Sequence, residues 1–233
     1  MTRRVRTAVL ISGYGSNLQA LLDAAKAADY PAEIALVISN EANAYGLLRA
    51  EQAKIPHLTI SHRGHPTRED FDRALDAALK EHGIELVCLA GFMRILSHEF
   101  VQHWEGRLIN IHPSLLPKFP GLDTHVRALA AKEKLHGATV HFVTAELDAG
   151  PAIAQASLKV ERSDTPESLK TRVHALEHVL YPEALAKVAS ALGENGGLIV
   201  IASGSEAIQF FRQQAGLPRR AIELLAMTRR GMG

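Results

Sequence analysis

The sequence predicts an α/β fold, a mostly parallel sheet with helices on both faces. Short apolar runs rich in β-branched residues recur between Thr7 and Val160. Stretches with helical spacing of apolar residues separate them. Most of the short runs are continuously apolar rather than alternating, as strands buried on both faces require.

In chain order, Thr7 to Ile11, Ile34 to Ile38, His57 to Ile60, Leu86 to Ala90 and Arg107 to Ile111 read as strands. Asn17 to Ala28, Tyr45 to Ala53, Thr67 to His82 and Ser97 to His103 read as the helices between them. Two further strand candidates, Ala138 to Val143 and Ala152 to Val160, come in close succession. That succession predicts a sheet ending in antiparallel pairing, because parallel neighbours need a longer crossover.

Thr165-Pro166 then opens a long helix. Threonine suits the N-cap, proline the first helical position, and Glu167 the positive helix end. The pattern continues to about Ala191, with Pro182 expected to kink or break it. Gly193 to Gly197 is the clearest boundary. The expected division is a catalytic domain over 1–192 and an extension over 193–233 of unassigned role. Within that extension Leu198 to Ala202 reads as a short strand, and Glu206 to Gln214 and Arg219 to Arg229 as helices. There is no internal repeat and no low-complexity segment.

Composition narrows the function classes. Of 233 residues, 47% are hydrophobic and 22% charged, with a net charge of +1, as in ordinary soluble globular proteins. Lysines and arginines are scattered rather than striped, which argues against nucleic-acid binding by charge. The basic start, Met1 to Arg6, precedes an apolar run (Ala8 to Ile11) too short for a membrane or signal segment. The single cysteine, Cys88, cannot form an intrachain disulfide and reads as a buried strand residue of a cytoplasmic protein.

Chemistry concentrates at Asn110-Ile111-His112-Pro113-Ser114-Leu115-Leu116-Pro117. Strand side chains alternate between faces, so Asn110 and His112, two apart, share one. An amide donor and a titratable imidazole at a strand end suit a reaction that develops negative charge on a carbonyl oxygen. Earlier, Ser12-Gly13-Tyr14-Gly15-Ser16-Asn17-Leu18 marks the first strand-to-helix turn. Glycines there permit positive φ, and helix-terminal amides with the Ser16 hydroxyl can hold a phosphate. The motif is neither a P-loop nor a full Gly-x-Gly-x-x-Gly fingerprint. The structural alternative is a tight turn with Ser16 or Asn17 as helix cap.

Four motifs together, Ser12-Gly13-x-Gly15-Ser16-Asn17-Leu18, Ala90-Gly91-Phe92-Met93-Arg94-Ile95-Leu96, Asn110 to Pro117 and Glu146-Leu147-Asp148-x-Gly150-Pro151, occur in order with compatible spacing. They closely resemble the phosphoribosylglycinamide formyltransferase family, folate-dependent one-carbon transferases of purine biosynthesis, over about residues 7 to 185. The resemblance implies a formyltransferase fold with a Rossmann-like N-terminal half. It implies transfer of formyl from 10-formyltetrahydrofolate, a co-substrate, to the amine of 5′-phosphoribosylglycinamide. The products would be formylglycinamide ribonucleotide and tetrahydrofolate, in de novo IMP synthesis.

By the same resemblance, Asn110, His112 and Asp148 match a catalytic trio, and Gly15, Ser16 and Asn17 match the ribonucleotide phosphate loop. Glu177 matches a ribonucleotide contact, and Arg68 an arginine that contacts formylfolate. Met93, Arg94, Ile95 and Leu96 match the folate wall, which Asn110 adjoins. The implied partners are these two small molecules, with no metal, nucleic acid or membrane, for a cytoplasmic monomer or homodimer.

The trio also makes chemical sense from its residues alone. Asn110 can donate an N–H to the oxyanion of a tetrahedral intermediate, and protonated His112 another. A carboxylate such as Asp148 favours the imidazolium, and can hold a water that carries the amine proton to the departing folate nitrogen.

The remaining candidates have weaker claims. His141 alternates with Val140 and Phe142 close to the implied site. His62 and His65 lack a third ligand at a metal spacing and read as a polar loop. Trp104 and Phe100 read as packing, and His136 and His178 as structural. Tyr14 and Asp123 depart from the family's usual residues, a small polar one and histidine; the Tyr14 ring is expected to shield part of the loop.

Three alternatives compete. Methionyl-tRNA formyltransferase would be expected to carry a sizeable basic C-terminal domain, whereas the 193–233 extension has five arginines against three glutamates. A formylfolate hydrolase would carry an added N-terminal domain, whereas the first strand here starts within ten residues. A non-catalytic nucleotide-binding module leaves Asn110, His112 and Asp148 without a role.

Overall fold

The computed structural model describes residues 3–194. Seven strands form one sheet: β1 (Val5–Ile11), β2 (Ala32–Ser39), β3 (His57–Thr59), β4 (Leu86–Leu89), β5 (Leu108–His112), β6 (Leu135–Phe142) and β7 (Ala152–Lys159). The helices are α1 (Ser16–Ala24), α2 (Tyr45–Gln52), α3 (Arg68–Glu81), α4 (His98–His103), α5 (Thr124–Ala130) and α6 (Pro166–Glu194). Strand order is β3-β2-β1-β4-β5-β6-β7, which puts β1, β4 and β5 side by side. Pairings from β3 through β5 are parallel; β6–β7 is antiparallel, as the succession of the last two strands predicts, and β5–β6 is antiparallel as well.

Alternation along the strands builds two cores. Val9 and Ile11 of β1, with Ile109 and Ile111 of β5, join one that contains Leu18 and Leu21 of α1 and Val173, Leu185 and Val188 of α6. Ala8, Leu10 and Leu108 join the other with Phe71 and Leu75 of α3, Phe100 of α4 and Trp104. Cys88 is fully buried in β4. Fully burying one such aliphatic or aromatic side chain is worth roughly 1.5–3 kcal/mol, so these two layers dominate the stability of the fold.

Local signals at the helix starts hold. The Thr67 hydroxyl accepts from the Asp70 N–H at 3.1 Å and the Asp70 carboxylate accepts from the Thr67 N–H at 3.2 Å, a reciprocal capping box that starts α3. At α6 the Ser168 N–H donates to the Thr165 hydroxyl at 3.2 Å.

Several expectations need correction. β3 has only β2 beside it, and His57 and Thr59 are exposed, so it is an edge strand, outside the majority that are buried on both faces. α1 ends at Ala24, short of Ala28, where three-residue turns take over: Lys26 N–H donates to Asp23 O and Ala27 N–H to Ala24 O. Pro182 does not end α6, which runs through it to Glu194. An interior proline costs ~3 kcal/mol, and the burial of Tyr181, Ala184 and Leu185 beside it offsets that cost. The short α5 has no strong signal in the sequence; it buries Thr124 and Ala128. His62–Gly64 forms a single 3-10 turn. The strand and helices expected beyond Gly197 lie outside the described residues.

Candidate active site

Three neighbouring strands deliver their loops to one edge of the sheet. The ends of β1, β4 and β5 lead respectively into the glycine loop, the Gly91–Leu96 segment and the His112–Pro117 turn. Clefts outside the carboxyl ends of parallel strands are where open α/β sheets bind ligands.

Asn110 and His112 share a face of β5 and stand opposite His141 and Thr139 of β6. Asn110 Nδ2 is 3.2 Å from His141 Nε2, and His141 Nδ1 is 2.9 Å from the Phe142 carbonyl oxygen. The partners fix the tautomer: Nδ1 donates to the carbonyl, so Nε2 accepts from the amide. Burial holds the His141 imidazole below its ordinary pKa, in keeping with a neutral ring. Asn110 is thereby oriented by one of its two N–H groups and keeps the other.

His112 is 6% exposed, with Nδ1 3.3 Å from Asp148 Oδ2 and Nε2 2.9 Å from the Phe119 carbonyl oxygen. Both ring nitrogens therefore face protein acceptors, an arrangement that the imidazolium alone fills completely. This differs from the expectation of an imidazolium N–H directed at substrate: the turn after β5 brings the Phe119 carbonyl onto that nitrogen. The turn contains a cis Leu116–Pro117 peptide, and is tied to β6 through Leu116 N–H and the Thr139 hydroxyl at 3.0 Å.

Asp148 lies on the β6–β7 connection at φ 52°, a left-handed conformation that aspartate tolerates better than most residues. Its Oδ2 also accepts from the Gly121 N–H at 2.8 Å, and its Oδ1 is 3.7 Å from His141 Nε2. Gly150 permits this connection to lie against β6, since a Cβ there would fall 1.7 Å from the Phe142 carbonyl oxygen.

In the glycine loop, Gly15 at φ 73° is the N-cap of α1. No side chain caps this helix and its first turn holds no acidic residue. Neither Ser16 nor Asn17 caps it, so the cap alternative fails. The α1 N-terminus is thus open to an anion. Asn17 instead donates from Nδ2 to Glu177 Oε2 at 2.9 Å. Glu177, on α6, is 3% exposed, and burial pushes its carboxyl up to about 7.

In the Gly91–Leu96 segment Phe92 and Leu96 are buried, whereas Met93 and Ile95 are exposed. Buried Arg94 Nε has no hydrogen-bond partner among the described residues. The Met93 N–H donates to the Ser12 hydroxyl at 2.7 Å, which itself donates to Asn40 Oδ1 at 2.5 Å. Ser12 thus ties this segment to the glycine loop. Arg68, the first residue of α3, is exposed and forms no hydrogen bond or ion pair among the described residues.

The sequence leaves His141 a weaker candidate and does not point to the Phe119 carbonyl. Strand register, which places His141 opposite Asn110, is set by long-range pairing and leaves no local trace.

The model of the formyl transferase family matches residues 5–185 of the chain. The chain belongs to the formyl transferase family. Among formyl transferase relatives, it is 50% identical over 174 residues to the phosphoribosylglycinamide formyltransferase of Escherichia coli, covering 75% of this chain and 82% of that one. It is 50% identical over 197 residues to the human trifunctional purine biosynthetic protein adenosine-3, matching 83% of this chain but only 20% of that protein's length. A solved phosphoribosylglycinamide formyltransferase from Coxiella burnetii superposes with a TM-score of 0.77 at 54% identity, covering 81% of this chain and 88% of that one. Glycinamide ribonucleotide transformylase 1 from Symbiobacterium toebii does so with a TM-score of 0.80 at 45% identity, covering 86% and 92%. The formyl transferase fold is thus the fold observed here.

Proposed function

We propose that this chain transfers the formyl group of 10-formyltetrahydrofolate to the amine of 5′-phosphoribosylglycinamide, giving formylglycinamide ribonucleotide and tetrahydrofolate in purine biosynthesis. The observation that carries this reading is the convergence of the Asn110–His112–Asp148 cluster with the uncapped α1 N-terminus at one sheet edge. The likeness to phosphoribosylglycinamide formyltransferases supports the choice of substrates.

In this reading the glycinamide amine attacks the formyl carbon, a C–N bond forms, and the carbonyl oxygen becomes an oxyanion. Asn110 donates its second N–H to that oxygen. His112, as imidazolium beside Asp148, places positive charge at the site. Collapse breaks the bond between the formyl carbon and folate N10, and the amine proton passes to N10 through water held by Asp148. Gly15, Ser16 and Asn17 hold the phosphate through the α1 amides, and Glu177 accepts from ribonucleotide hydroxyls. Met93, Arg94, Ile95 and Leu96 line the folate site, and Arg68 offers an exposed cation to the carboxylates of the folate tail. The reaction needs no metal. We place it in the cytoplasm, carried out by a monomer or homodimer.

Incubation with glycinamide ribonucleotide and 10-formyltetrahydrofolate, followed by the absorbance of the folate product, tests the assignment. Release of tetrahydrofolate that depends on the ribonucleotide is expected. Turnover only on initiator tRNA or on water would overturn it.

A further inference from the structure

Helix α2 reaches the glycine loop at three points that the proposed chemistry does not use. The Gly46 N–H donates to the Gly13 carbonyl at 3.0 Å. Gly15 crosses Gly46 so closely that a Cβ on Gly15 would lie 2.8 Å from the Gly46 Cα, which leaves room for glycine alone. Arg49 donates from Nε to the Tyr14 carbonyl at 3.0 Å and from Nη1 to Gln19 Oε1 at 3.0 Å. Its guanidinium carbon also lies 4.6 Å from the Tyr14 ring centroid and 5.0 Å from that of Tyr45. The two rings are themselves parallel within 9° at 5.1 Å.

From this geometry we propose that α2 is a brace for the phosphate loop, with Arg49 as its positioning residue; the inference rests on the ribonucleotide reading above. A planar trans peptide points its N–H opposite its C=O. Holding the carbonyls of Gly13 and Tyr14 from α2 therefore aims the N–H groups of Tyr14 and Gly15 away from α2. The loop's approach to the free end of α1 is then fixed before the ligand arrives. Arg49 spends two donors inside the protein, so it acts on the phosphate through the loop. Tyr14 accordingly stacks on Tyr45 and Arg49, where the sequence suggests a ring shielding the loop.

Steady-state kinetics of Arg49→Met and Arg49→Lys test the proposal. Both are expected to raise the KM for ribonucleotide about tenfold, the size of a lost fixed hydrogen bond with its ring contacts. kcat and the KM for folate should stay within about twofold. Lysine keeps the charge and loses the Nε donor, so full rescue by Arg49→Lys would overturn the brace in favour of simple charge. An unchanged ribonucleotide KM in Arg49→Met, or equal losses in every constant, would also overturn it. If Arg49→Met fails to fold, Tyr45→Ala, which removes one ring from the stack, must show the same selective rise. If the wild-type chain formylates nothing, the ribonucleotide reading fails, and titration with inorganic phosphate judges the brace by itself. Weaker phosphate binding by the variants supports it, and equal binding overturns it.

Discussion

At the scale of single residues, the site depends on pairs in which one side chain fixes another. His141 takes one N–H of Asn110 and leaves the second; Asp148 and the Phe119 carbonyl take both nitrogens of His112. Replacing Asp148 by asparagine keeps the shape but removes the charge and offers an amide to His112. kcat is expected to fall by about 10²–10³, the usual scale for losing one preorganised electrostatic partner. In the proposed reading Glu177 and the glycine loop hold the ribonucleotide, so its KM should hardly change. Steady-state kinetics with each substrate varied in turn check this, and parallel losses in kcat and ribonucleotide affinity would make Asp148 structural. That Asn110 and His112 share a face was legible in the sequence, because a two-residue spacing at a strand end fixes it. The reach of Asp148, across 36 positions of sequence, came from the motif resemblance rather than from spacing. The commitment of His112 Nε2 to Phe119 depends on the path of the turn, which no local rule gives.

At the scale of elements, strong periodicity and capping chemistry carried furthest. The α3 and α6 starts follow from Thr67 and Thr165, and the antiparallel end of the sheet follows from two strands too close for a crossover. The errors arose where tertiary contact overrides local preference. Of the kink or break expected at Pro182, the break does not occur, because the packing around it carries α6 through. The β6–β7 pair adds a requirement invisible in composition. A Cβ on Gly137 would lie 1.9 Å from the Ala156 carbonyl oxygen. Gly137→Ala should therefore force the hairpin apart and destabilise the fold by about 1–3 kcal/mol, the cost of overpacking. A urea denaturation midpoint unchanged from wild type would show that the strands absorb the methyl without strain.

At the scale of the whole molecule, Glu177 joins the site to the energetics of folding. Burial raises its carboxyl from 4.5 in the reference state to about 7. Its neutral form is thus favoured in the folded protein. The contribution is fully present below pH 4.5 and is lost as pH rises through about 7. At 1.36 kcal/mol per pKa unit the loss is on the order of 3 kcal/mol. Glu177→Gln removes this titration. Across pH 5 to about 8, wild type should lose stability relative to the variant, and thermal melts of the two at matched pH should diverge steadily. Melting curves that stay parallel over that range would mean the carboxylate is already compensated. Binding a ligand with donor hydroxyls beside Glu177 would favour its charged form, so ribonucleotide should offset part of the loss.

The buried thiol of β4 has a further consequence for the same molecule. Cys88 is the chain's sole cysteine and lies fully enclosed in a strand flanked by β1 and β5, with burial pushing its thiol up to about 12. Alkylating reagents reach it only when the centre of the sheet opens, so the protein carries its own clock for global opening. A substrate that binds the folded state slows that clock whether or not formyl transfer occurs, which separates occupancy from chemistry without adding a probe.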